Sequence, residues 1–125
     1  MRIKAGEPRP LIWRGTSKSD YMAFPTNVQR EMGYALFLAQ AGKRHTSMAK
    51  ILKGFGGGTV VEVKESYGGD AYRAIYTVRF AEAVYVLHAF QKKSKTGVKT
   101  PKVDINLIEK RRRACIPCRS RFSNP

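Results

Sequence analysis

Between Tyr72 and Pro101 the sequence reads YRAIYTVRFAEAVYVLHAFQKKSKTGVKTP, and this stretch does most to limit what the chain can fold into. From Tyr72 to Phe80, Tyr72, Ala74, Tyr76, Val78 and Phe80 fall on one side. Arg73, Ile75, Thr77 and Arg79 fall on the other, which is the period of a β-strand. Ala81 and Glu82 interrupt the pattern and Val84 to Phe90 resume it, predicting a hairpin. Apolar side chains on both sides of the second run point to a central strand covered on two faces. The composition then turns to Gln91, Lys92, Lys93, Ser94 and Lys95, followed by Thr96, Gly97, Val98 and Lys99. Such charge is not buried unpaired, so the sheet delivers it to one rim. Thr100 and Pro101 have the form of a helix start, a hydroxyl cap followed by proline at the first helical position.

The remaining chain supplies what this hairpin needs to become a domain. Residues 1 to 8 read as a loose arm, and Pro10 to Trp13 as a short edge strand, with Trp13 anchoring it in the core. Asp20 to Phe24 predicts a short helix after several possible caps. Pro25 restarts a helix from Thr26 to Ala41, with Val28, Met32, Ala35, Leu36 and Ala39 on one face and Gly42 as its stop. Ile51, Leu52 and Phe55 read as a small apolar plug ahead of Gly56, Gly57 and Gly58. Those glycines lack the phosphate-loop pattern GxxxxGK[ST]. Thr59 to Lys64 alternates as a strand, and Tyr67, Gly68, Gly69 and Asp70 supply a turn into Tyr72. Val103, Leu107 and Ile108 give the apolar stripe of a last helix ending at Lys110 to Arg113, where cations suit the helix's negative end. The predicted fold class is α+β, a small antiparallel sheet with an N-terminal helical hairpin and a C-terminal helix. One domain spans residues 1–113, followed by a basic tail at 114–125 that is expected to be disordered alone.

Charge narrows the partners. The formal net charge is +15, from 24 Lys and Arg against 9 Asp and Glu, more than solubility asks for. It points to a polyanion, nucleic acid first and an acidic protein second. Residues 91 to 125 hold 11 of the 24 basic residues, with only Asp104 and Glu109 as acids. No run approaches the roughly 18 to 20 apolar residues of a membrane span, and the N-terminus has no apolar signal core, so a cytoplasmic protein is expected. Cys115 and Cys118 are too close together to staple distant parts of the fold and read as reduced thiols. They make half of a zinc site with no second half. No metal or cofactor is expected.

The segments AYRAIYTV, AVYVLHAFQKKS and KTPKVDINLIEKR resemble the RelE and ParE superfamily of bacterial toxins, and within it the HigB-like, phage-derived group of toxin–antitoxin proteins. The likeness runs roughly from Pro10 to Arg113. It implies metal-independent cleavage of messenger RNA on the ribosome and a cognate antitoxin, with a helix-turn-helix, that blocks the basic cleft. In such a reaction the ribose 2′-hydroxyl attacks the adjacent phosphate, so the protein aligns the groups, moves protons and neutralises the oxyphosphorane. Carried onto this chain, Arg73 binds the scissile phosphate and Lys93 stabilises transition-state charge with Lys92 beside it. Lys64 corresponds to a lysine used on the preceding strand. The chain departs from RelE in lacking a tyrosine after the basic loop, which leaves His88 and Tyr76 as the proton-transfer candidates. Phe90 could stack on a base, and Lys95 and Lys99 extend the RNA-binding surface.

Each of these residues also has a plainer reading. His88 could be a strand histidine satisfied by backbone, Arg73 an ion-pair partner of Glu62 or Glu65, Tyr76 and Phe90 core residues, and the lysines a solvated loop. His45, with no Cys or carboxylate at ligand spacing, reads as a surface residue. Two other functions use the same residues: a ParE-like gyrase inhibitor that catalyses nothing, and a basic nucleic-acid-binding phage protein.

Overall fold

Gly68 and Gly69 set the centre of the sheet. Both have positive φ, 62° and 86°, the backbone of a two-residue turn whose twist matches the flanking strands and which glycine adopts without strain. In the computed structural model, which describes residues 8–53, 55, 59–78, 83–93 and 102–123 (93 and 115–123 by backbone alone), this turn joins β3 (Val60–Tyr67) to β4 (Asp70–Thr77). The two pair along their whole length, from Val60 opposite Thr77 to Tyr67 opposite Asp70. The other elements are β1 (Leu11–Trp13), α1 (Ser17–Met22), α2 (Thr26–Gln40), β2 (Ala49–Leu52), β5 (Val84–Lys93) and α3 (Lys102–Ser123). The fold is α+β, with sheet order β1-β5-β4-β3-β2.

Alternation sorts the side chains of the central strands onto two faces. Val61, Val63, Tyr72, Ala74, Tyr76, Val84, Val86 and Ala89 pack against Val28, Met32, Ala35, Leu36 and Ala39 of α2 and Tyr21 of α1. Those α2 residues are the expected apolar face. Burying each of the larger ones contributes roughly 1.5–3 kcal/mol. Pro25 starts α2 from an extended conformation, φ −56° and ψ 148°, which the proline ring favours. On the opposite face Val60, Ile75, Tyr85 and Leu87 form a second cluster with Ile108 of α3. β5 lies between β1 and β4 and is covered from both sides, as its doubly apolar sequence requires.

The structure corrects the expected architecture in four places. The Ile51–Leu52 plug is part of an edge strand, β2, antiparallel to β3 with Lys50 opposite Glu62; four residues carry too little alternation to show this, and pairing with β3 creates it. β1 pairs with β5 in parallel, because Val84 N–H donates to Pro10 O and Arg14 N–H to Val86 O. The short helix begins at Ser17 rather than Asp20, the Ser17 hydroxyl donating to Val86 O. Finally, α3 does not stop at Arg113 but continues through Ser123, over the segment expected to be disordered. No glycine ends it, but Pro117 lies inside it and removes a backbone donor, so local composition does not account for the continuation. Within α3, Glu109 accepts from Arg112 and Arg113 at 2.7 to 3.0 Å. These bonds, led by the one from Arg112, hold its carboxyl below the usual carboxylate range.

The Ala81–Glu82 turn, the glycines at 56–58 and the Thr100–Pro101 cap lie outside the described residues.

Candidate functional site

A bulge in β5 decides which side chains meet. β4 pairs with β5 antiparallel, but Ile75 lies opposite His88 and Tyr76 opposite Val86, so Leu87 is an extra residue in the ladder. Leu87 packs in the α3-side cluster and His88 reaches Asp104 of α3. Two consecutive side chains therefore point to one face, and the parity of the strand is reset. Without the bulge, Phe90 and Lys92 would leave that face. With it, Lys64, Arg73 and Phe90 form one row across β3, β4 and β5, and Glu62, Ile75 and His88 the row beside it. Arg111 of α3 donates to Leu87 O at 2.9 Å, tying the helix to the bulge.

On this face Arg73 is buried, 3% exposed, and its Nη1 donates to Glu62 Oε2 at 2.8 Å. Glu62 is likewise 2% exposed. A buried guanidinium and carboxylate compensate one another where either alone would be costly. The pair borders an open cleft of about 310 Å³ lined by Ser47, Met48, Lys50, Glu62, Lys64 and Arg73. Three cations against one carboxylate give the cleft's lining a net positive charge. Lys50 and Lys64 are exposed, and Lys64 is held in place by its N–H bond to Met48 O. Glu62 and Lys64 are two residues apart on one strand, so their Cβ atoms stand about 7 Å apart on the same face.

His88 and Phe90 lie further along, under α3. Their rings stack with centroids 4.8 Å apart and 20° between planes. His88 Nε2 is 2.7 Å from Asp104 Oδ1; an ionised carboxylate only accepts, so Nε2 carries the hydrogen. Nδ1 is buried with no hydrogen-bond partner among the described residues. His88 is thus partnered by a carboxylate from the helix and not by backbone, and the bond pins the first turn of α3 to the sheet. Asp104→Ala is expected to cost about 1.5 kcal/mol locally, the scale of one hydrogen bond to a charged group. Amide hydrogen exchange checks it: the first turn of α3 should exchange about tenfold faster while β3 and β4 are unchanged.

Tyr76 is not part of this site. It is 1% exposed and packs on the α2 side, so it cannot share a substrate with Arg73 and His88. The alternation between Arg73 and Tyr76 already required this. Burial pushes its phenol up to about 12, with the Arg44 charge pulling the other way. Lys92 is in register with Ala71, on the cleft's face, and Lys93 ends β5 opposite Asp70. Lys95 and Lys99 lie outside the described residues. His45 organises a turn: its Nδ1 accepts from Ser47 N–H and Met48 N–H. Lys50, Glu62 as a lining group, and Asp104 were not anticipated as site residues. Only the pairing of β2 with β3 and the docking of α3 bring them in.

Among the described residues no group of His, Cys, Asp and Glu is placed to hold a metal ion, and no helix is long and apolar enough to cross a membrane. A search of curated proteins returned no match. The model of one protein family, the phage derived protein Gp49-like family (DUF891), matches residues 19–113, an interval that takes in α1 from its third residue, all of α2, the whole of β2 to β5, and α3 as far as the clamp by Glu109. The chain belongs to the phage-derived Gp49-like family.

Proposed function

We propose that this protein is the toxin of a type II toxin–antitoxin pair, of the RelE and HigB kind, and that it cuts messenger RNA on the ribosome by metal-independent attack of a ribose 2′-hydroxyl. The observation that carries this reading is the cleft of Lys50, Lys64, Arg73 and Glu62, three cations gathered on one sheet face around a single proton acceptor. Membership of a phage-derived family and the net charge of +15 agree with it.

In the proposed reaction the Arg73 guanidinium, oriented by Glu62, binds the scissile phosphate. Glu62 takes the 2′-hydroxyl proton, since it is the one carboxylate in the lining. The 2′-oxygen bonds to phosphorus and the bond to the 5′-oxygen breaks, leaving a 2′,3′-cyclic phosphate and a 5′-hydroxyl. The ammonium of Lys64 protonates the departing oxygen, and exchange with water restores both groups. Lys50 offsets charge on the pentacoordinate phosphate. Lys92 and Lys93 would guide RNA to the rim, and Phe90 would offer a ring for stacking. A cytoplasmic site of action and a small antitoxin covering the cleft complete the proposal.

Mapping RNA 5′ ends in cells after brief induction tests it. New ends within translated messages, phased to codons and bearing 5′-hydroxyls, are the expected result. Growth arrest without new ends would overturn the nuclease and point to gyrase, read by a supercoiling assay. No arrest at all would leave a basic binding protein.

A further inference from the structure

Tyr76 leaves an unused polar group in the opposite face of the sheet. Its ring is 1% exposed, yet it borders an opening of about 210 Å³ whose lining includes Arg9, Lys43, Arg44, Thr59 and Tyr76 and no carboxylate among the described residues. No described residue hydrogen-bonds the Tyr76 hydroxyl. Tyr76 therefore borders this opening with a hydroxyl that can donate to a molecule bound there. The Arg44 charge lies near enough to act on the phenol, so a donor hydroxyl and a guanidinium address the same space.

The walls of this opening are fixed by the end of α2. Gly42, at φ +85°, turns the chain, with Gly42 N–H donating to Ala39 O and Lys43 N–H to Leu38 O, in the manner of a glycine-terminated helix. Arg9 packs over Gly42, its Nη1 donating to Ala39 O at 3.4 Å, and so offsets the negative end of the helix dipole. The turn then presents Lys43 and Arg44, both exposed and neither in an ion pair among the described residues. We propose that the Tyr76 hydroxyl, Arg44 and Lys43 form a second phosphate-binding site, separated from the Arg73 cleft by the thickness of the sheet. A phosphate fits better than a carboxylate because its several acceptor oxygens can take the phenol, the guanidinium and the ammonium together. The site gives the protein a second grip on a nucleic-acid backbone, and it stands whether or not the first cleft cleaves RNA.

The test is a titration of the full ¹⁵N-labelled chain with pyrophosphate at low salt, followed by a 2′-deoxy oligonucleotide, which the proposed reaction cannot cut. Amide shifts at Gly42, Lys43, Arg44 and Thr59 are expected. Tyr76→Phe should weaken pyrophosphate about tenfold at these amides, the scale of one hydrogen bond to a charged ligand. Lys43→Gln with Arg44→Gln, both at exposed positions, should abolish the shifts while leaving those near Lys50 and Lys64 intact. Competition by the oligonucleotide at the same amides would identify a nucleic-acid backbone as the source of the phosphate; pyrophosphate binding without competition would identify a small phosphate compound. Shifts confined to the Lys50 and Lys64 side, or unchanged affinity in the double variant, would overturn the site.

Discussion

Arg73→Ala is expected to destabilise the protein by about 3–5 kcal/mol, the cost of leaving one member of a buried ion pair without its partner, and to abolish RNA cleavage. Glu62, 2% exposed, would then hold its charge in a poorly solvated position bordered by Ile75, which is fully buried. Urea unfolding reads the first effect as a lower midpoint at constant slope. Because loss of fold would itself remove activity, the informative variant is the double one. Arg73→Met with Glu62→Leu replaces both charges by side chains of similar volume and should recover most of the lost stability, since buried pairs contribute little net against apolar substitutes. It should remain inactive on RNA. A double variant that is stable and still cuts would remove both residues from the chemistry. A loss below about 1 kcal/mol in Arg73→Ala would mean that water reaches the pair freely, as for surface ion pairs.

Much of this arrangement is written in local pattern. The period of Val28, Met32, Ala35, Leu36 and Ala39 marks the buried face of α2, and Gly68-Gly69 between two alternating runs marks the central hairpin. The same alternation places Arg73 and Tyr76 on opposite faces, so grouping the two as one catalytic set contradicts the strand's own period. The bulge at Leu87 is different. VYVLHAF is apolar on both faces with or without an extra residue, so no sequence signal shows where parity resets, and the reset is what carries His88 and Phe90 to the side of Arg73. Asp104 is sixteen positions beyond His88 and reaches it only because α3 folds back. Lys50 joins the cleft through a four-residue strand whose existence depends on β3. Tertiary pairing, not local propensity, fixes all three.

The strongest discrimination comes from Glu62→Gln. The carboxamide oxygen can still accept from Arg73 Nη1, which now bonds Glu62 Oε2 at 2.8 Å, so the guanidinium keeps its orientation and side-chain volume is unchanged. What is lost is the capacity to take a proton. If Glu62 is the base, cleavage should fall by about 10²–10⁴-fold, the usual contribution of a general base. Affinity for a non-cleavable 2′-deoxy RNA analogue, measured by fluorescence anisotropy, should hold or rise, because a negative charge has been removed from an anion-binding cleft. If Glu62 only orients Arg73, the glutamine should retain the rate within about tenfold, and Glu62→Ala should fall much further, since it removes the acceptor altogether. The two roles therefore predict different relations between the variants: equal losses for a base, and a glutamine variant far faster than the alanine one for an orienting residue. A rate loss shared equally by both variants, with affinity intact, assigns the proton to Glu62; a rate that survives in glutamine and collapses in alanine assigns it elsewhere, and His88, under Asp104 and α3, becomes the residue to substitute next.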